Sequence, residues 1–184
     1  TGSGGQVQGG STITQQYVKQ ILFTAATTKE EQEAATAVSL NRKLREARYA
    51  IELENKLSKR EILEGYLNIA YFGAGSYGVE IASLRYFSKS ASELNLTQAA
   101  TLAGLVQNPS RFDPTQYPDR AESRRNLVLQ AMANAGYITQ EVADKAAAVE
   151  IESDLKPTEL PNGCTTSSAP YFCDYVLTVL KNDP

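Results

Sequence analysis

Histidine and tryptophan are absent from this 184-residue chain, and only two cysteines and one methionine occur. Without histidine there is no imidazole general base, no Ser-His-Asp triad and no His-ligated zinc. Side-chain proton transfer near neutrality therefore falls to carboxylates. Cys164 and Cys173 are too few for a tetrathiolate metal site. Lying in a loop-rich tail, they read as a short disulfide, which would imply an oxidising compartment; two free thiols are the alternative. No run approaches the ~18 apolar residues of a membrane-spanning helix, and no signal peptide opens the chain. It starts instead on TGSGGQVQGG, which reads as the middle of a loop, so the true amino terminus is expected upstream. Long basic runs are missing too, and the net charge is −3, which argues against nucleic acid as the main partner. An anion site in such a chain must be local.

What is present is helical patterning. Few alternating β-branched runs occur, and segments with a period near 3.6 dominate, so the fold class is all-α, or mainly α. Thr12 with Gln15 has capping-box spacing and predicts a helix running to about Phe23. Thr24 to Ser39 has weak periodicity and reads as a flexible or loosely helical connection. From Leu40 to Leu57, Leu40, Leu44, Ala47, Ile51, Leu53 and Leu57 recur at threes and fours, predicting an amphipathic helix with that stripe inward. Ser58 with Glu61 restarts a helix, which YFGAGSYG ends. Further helices are expected over Glu80 to Phe87, through the apolar QAATLAGL after an Asn95 cap, over Arg120 to Ala135, and over Ile138 to Val149 capped by Thr139. The composition changes at Glu150, which places a domain over 1–150 and a linker over 151–184.

Two polar signatures carry the chemistry. GGSTITQQ, Gly9 to Gln16, sets glycines before a helix amino terminus, where backbone N–H groups and the helix dipole favour an anion. Ser11, Thr12, Gln15 and Gln16 add neutral donors, with Lys19 one turn on. RKLRE, Arg42 to Glu46, embeds a carboxylate between Arg42 and Lys43 at helical spacing. Each has a plainer reading, a capped helix for the first and a solvated ion-paired face for the second.

Together with YGVEIASLRYFSKSASELNLTQAATLAGLVQNPSRFDP and RRNLVL, these segments resemble four successive motif blocks of the family 51 peptidoglycan glycosyltransferases. That family is the polymerase domain of bifunctional class A penicillin-binding proteins and their monofunctional relatives. APYFCDYV also resembles the linker before the transpeptidase domain of such proteins, particularly actinobacterial ones. The resemblance implies a lysozyme-like α fold and inverting glycosyl transfer that polymerises lipid II, with undecaprenyl pyrophosphate as leaving group. By position, Ser11, Thr12 and Gln16 match polar residues lining the cleft, and Lys19 matches a phosphate-contacting lysine. Arg42 and Lys43 match the basic pair of the third block, Lys43 being the better match to the pyrophosphate contact. Glu46 matches the second essential glutamate, which positions or helps ionise the donor end, with a divalent metal (Mg or Mn) as an optional cofactor. Arg125 matches a last-block arginine, counted with the substrate-binding residues and expected to organise the site from behind. Glu61 reads as a cap, and Glu54 and Glu64 as structural.

The family's first block, an EDxxFxxHxG motif holding the catalytic base, is missing, so the fold is expected to be truncated at its amino terminus and the isolated chain inactive. Ser88 departs from the glycine often found there. The implied partners are lipid II, the nascent glycan strand, the membrane surface and a downstream transpeptidase domain. The implied place is the outer face of the cytoplasmic membrane, anchored by an upstream helix. Two other classes compete: a lytic transglycosylase or muramidase that cuts glycan, and a non-catalytic scaffold binding glycan or the phosphoglycolipid moenomycin.

Overall fold

The computed structural model describes residues 11–159 together with Val179. Among these the chain forms nine α-helices and one short 3-10 turn, and the sole β element is an isolated bridge between Tyr71 and Tyr77. The mainly α expectation holds. The helices are α1 (Ile13–Thr24), α2 (Lys29–Thr36), α3 (Leu40–Glu54), α4 (Lys59–Ile69), α5 (Val79–Phe87), α6 (Leu96–Leu105), α7 (Pro118–Asn134), α8 (Gln140–Ala147) and α9 (Ile151–Asp154). α1 packs on α2, α3 and α4, while α6, α7 and α8 form a second group; α5 touches both α4 and α6.

Local chemistry sets the helix starts. Thr12 with Gln15, Ser58 with Glu61 and Asn95 with Gln98 are capping boxes, each satisfying two backbone N–H groups that lack intrahelical partners. The same device at Thr28 and Glu31 starts α2, inside the stretch read as a loose connection. That helix was hidden because it buries only Ala35 and so has no apolar period. The main core gathers Tyr66, Ala70, Phe72, Ala82, Tyr86, Phe87, Leu102 and Leu105, and a smaller one joins Leu129 of α7 to Ala143 and Ala146 of α8.

α3 departs from its apolar pattern. Its buried residues are Arg42, Glu46 and Ala50, while Leu40, Leu44 and Ile51 face outward, Ile51 at 64% exposure. The two stripes lie on opposite sides of one helix, so burying one exposes the other. Arg42 and Glu46 satisfy each other, which makes their face buriable. No described residue covers the outward stripe.

Past residue 150 the chain still packs on the body. Ile151 N–H donates to Glu122 Oε2 at 3.0 Å, and Gln98 Nε2 donates to Asp154 Oδ1 at 2.8 Å. Lys156 N–H then reaches Tyr86 O at 2.9 Å and Thr158 N–H reaches Arg85 O at 2.8 Å, satisfying carbonyls that the end of α5 leaves free. Ser88 ends α5 in the left-handed region, φ 54°, where a side chain costs energy that glycine avoids. Its hydroxyl donates to Lys156 O at 2.7 Å, which gives this serine a function there.

One substitution made on two sides of the fold separates these features. Ile151→Ala, at a site 3% exposed, is expected to cost about 2–5 kcal/mol. Ile51→Ala should fall within about 0.5 kcal/mol of wild type. Urea unfolding of the two variants checks both.

Candidate active site

The site begins with the cap of α3. Ser39 Oγ accepts from Arg42 N–H at 3.2 Å, and the helix it starts puts Arg42, Lys43 and Glu46 within one turn. Arg42 Nη1 donates to Glu46 Oε1, and Arg42 Nε donates to Ala37 O. Lys43 Nζ lies 2.9 Å from Glu46 Oε2. That contact lacks hydrogen-bond geometry, leaving Oε2 with no hydrogen bond; it stands as an ion pair, which depends on distance far more than on angle. The Glu46 side chain is 1% exposed and Arg42 nearly as buried, whereas Lys43 is 46% exposed. Two cations and one carboxylate therefore carry a net positive charge whose accessible part is Lys43.

The first signature joins the second at this lysine. Lys43 Nζ also donates to Ser11 Oγ at 2.9 Å, across 32 residues of sequence. Gln16 Nε2 donates to Ser11 O at 3.2 Å, and Tyr66 Oη of α4 donates to Gln16 Oε1 at 3.1 Å. Burial pushes the Tyr66 phenol above its ordinary value, which keeps it the donor. Thr12 is the exposed cap of α1. Lys19 is half-buried further along α1 and makes no ion pair among the described residues. Gly9 and Gly10, and the cysteines Cys164 and Cys173, lie outside the described residues, so the disulfide reading has no structural counterpart.

Arg125 is elsewhere. It has no exposed surface, and its guanidinium donates to Val149 O at 2.7 Å and Ala147 O at 3.0 Å, holding the end of α8 against α7. Desolvation lowers its pKa, while Glu122 and Asp154 oppose the shift. Counted with the substrate-binding residues and expected to organise the site from behind, Arg125 is fully enclosed, with its guanidinium engaged by backbone carbonyls at and just past the end of α8.

Sequence reasoning missed Thr14. It is buried on the first turn of α1, and its Oγ1 donates to Glu54 Oε1 at 2.6 Å; Lys59 Nζ reaches the same carboxylate at 2.9 Å. The Thr14 hydroxyl first, then Lys59, hold the Glu54 pKa below the usual carboxylate range. Thr14 lies inside the first signature, but no spacing rule points to a partner 40 residues away. Glu61 is the cap expected of it, and Glu64 is exposed on α4.

The Tyr71 to Gly78 loop follows α4. The rings of Tyr71 and Tyr77 pack at a 37° tilt with centres 4.8 Å apart, and Tyr86 Oη donates to Phe72 O at 3.1 Å. A Cβ at Gly78 (φ 87°) would lie 2.7 Å from Asn68 O, so only glycine lets the loop close on the helix. Divalent metal fits poorly near Glu46. The site offers one carboxylate with a cation at each oxygen, whereas Mg or Mn takes a shell of oxygen ligands. Among the described residues no group of three or more His, Cys, Asp or Glu could hold a metal.

The chain is similar to known proteins along most of its length. The profile of the transglycosylase family matches residues 1–133. Penicillin-binding protein 1A of Streptococcus oralis is 38% identical over 177 residues, covering 96% of this chain and 26% of that protein. Penicillin-binding protein 1A of Escherichia coli K12 is 38% identical over 180 residues, covering 98% and 19%. The crystal structure of penicillin-binding protein 1A from Haemophilus influenzae superposes with a TM-score of 0.50 at 30% identity, over 91% of this chain and 19% of that one. The chain thus spans about a quarter or less of the length of these relatives.

Two stability measurements follow from the geometry. Glu46→Ala strands the buried Arg42 guanidinium and is expected to cost about 3–5 kcal/mol. Lys43→Ala, at a half-exposed position, should cost under about 1 kcal/mol. Thermal unfolding of both variants checks the contrast. For Glu54 the folded pKa is depressed, so its stabilisation is present above the unfolded carboxylate range and lost as pH falls through the folded value. Thr14→Val should therefore lose part of the acid limb of the stability profile, while Glu31 and Glu61, held low by their own caps, still titrate. Denaturant unfolding across that pH range reads this out.

Proposed function

The chain belongs to the transglycosylase family, and on that premise we propose that it is the peptidoglycan glycosyltransferase portion of a class A penicillin-binding protein, polymerising lipid II into glycan strands. The observation that carries this reading is Lys43 Nζ, 2.9 Å from Ser11 Oγ and 2.9 Å from Glu46 Oε2. One accessible cation sits beside a hydroxyl and the start of α1, with a buried carboxylate behind it.

In the proposed reaction the 4-hydroxyl of the acceptor sugar attacks the anomeric carbon of the growing strand from the face opposite the leaving group. The bond to the undecaprenyl pyrophosphate oxygen breaks, and the configuration inverts. Negative charge grows on the departing phosphate oxygen, where Lys43 and Ser11 offer donors that need no reorganisation. Glu46 fixes Lys43, and Arg42 fixes Glu46. Glu46 is not the base, because its carboxylate is buried between two cations and has no open path to an incoming hydroxyl. Base catalysis is assigned to the first-block motif, which is not part of this 184-residue sequence.

The domain reading follows the same line. We assign 1–150 to the polymerase and the segment after it to a connection toward a transpeptidase domain, with 151–158 still docked on the polymerase. Arg125 then supports the domain from behind. Substrate chemistry places the protein on the outer face of the cytoplasmic membrane; among the described residues no helix is long and apolar enough to cross one. A lytic reading is less well supported, since cutting glycan needs no cation for a leaving pyrophosphate.

Incubation with lipid II tests the proposal. The natural protein carrying the first block should make glycan strands and release undecaprenyl pyrophosphate, its Lys43→Ala variant should lose on the order of a hundredfold or more in rate, and the 184-residue chain alone should make none. Release of sugar fragments from preformed glycan, without polymerisation, would establish the lytic alternative.

A further inference from the structure

We propose that Glu54 is a positioning residue for the Lys43–Ser11 contact, acting through the hydroxyl of Thr14; this rests on the polymerase reading above. Three side-chain ties hold the first turn of α1: Ser11 to Lys43, Gln16 to Tyr66 and Thr14 to Glu54. The first ends on half-exposed Lys43 and the second on buried Tyr66. The third joins buried Thr14 to the exposed last residue of α3, so it sets where the turn sits along that helix.

Charge placement separates this tie from ordinary surface pairing. Glu54 stands at the carboxyl end of α3, where the helix dipole is negative, and Lys59 stands at the first residue of α4, where it is positive. Both sit at the wrong helix ends. Their mutual pair is largely exposed, and exposed pairs contribute little, so it does not account for the arrangement alone. Thr14 does. At the second residue of α1 its hydroxyl has no carbonyl of a preceding helical turn to bond, and at 2.6 Å it makes a short, charge-assisted bond to Glu54. Lys59 Nζ, 2.9 Å from the same oxygen, helps to aim that carboxylate. Ser11 is three residues before Thr14, so a shift of the turn would carry Ser11 away from Lys43, and displacement of about 1 Å is enough to cost about a hundredfold in rate.

The test uses the natural protein that carries the first block, with Thr14→Val, Glu54→Ala, the double variant and Thr14→Ser. Thr14→Val and Glu54→Ala should each lower kcat for lipid II polymerisation by between about tenfold and a hundredfold, with KM little changed, because the leaving charge is met only in the transition state. Thr14→Ser should restore most of the rate, and the double variant should lose no more than the worse single one. Amide hydrogen exchange over Ser11 to Gln16 is the second measurement and needs no turnover; it should quicken in both single variants and not in Thr14→Ser. Wild-type turnover with Thr14→Val at full rate, additive losses, or unchanged exchange would overturn the proposal. A wild-type protein that fails to polymerise defeats the functional reading instead, and exchange alone then decides for or against the tie.

Discussion

A carboxylate buried without partners would carry a penalty of several kcal/mol, so the placement of Glu46 constrains everything around it. Arg42 covers one oxygen and Lys43 the other. Because all three come from one helical turn, the polar side of α3 can turn inward without leaving an unpaired charge. The apolar stripe of Leu40, Leu44 and Ile51 must then turn outward. This ordering of one helix decides which surface α1 meets, and so where Ser11 can find a cation. Lys43 is the one member of the trio with substantial exposure, which makes it the outlet for the positive charge.

Around that centre the supports run outward through hydrogen bonds between elements. Tyr66 on α4 steadies Gln16, and Gln16 steadies the backbone of Ser11. Past α4 the loop from Tyr71 closes on Tyr86, whose own carbonyl accepts from Lys156 in the segment beyond α9. The amino-terminal signature, the loop and the segment past residue 150 are thus parts of one bonded framework. Arg125 holds the end of α8 to α7.

Much of this was legible in the residues. Capping pairs announced α1 and α4, a lone Asn95 cap announced α6, and the RKLRE spacing announced an ion-paired turn, since all rest on contacts within four residues. The face that α3 buries was not legible, because apolar periodicity ranks Leu40, Leu44 and Ile51 above a self-satisfied Arg42–Glu46 pair. α2 was missed for want of an apolar period, although Thr28 and Glu31 have the same spacing as the boxes that were recognised. Ser11 with Lys43 and Thr14 with Glu54 are tertiary contacts, and one sequence holds no local signal for them. Arg125 shows the same limit: a motif match located an arginine worth attention, and only packing shows that carbonyls of α8 occupy it.

The central claim is that Lys43, backed by Glu46 and beside Ser11, receives the diphosphate. A crystal structure with a lipid-linked sugar diphosphate analogue tests it most directly. A phosphate oxygen is expected within hydrogen-bond distance of both Lys43 Nζ and Ser11 Oγ, with Glu46 still paired to Arg42. A diphosphate bound elsewhere, with Lys43 left on Glu46 and Ser11, would contradict it.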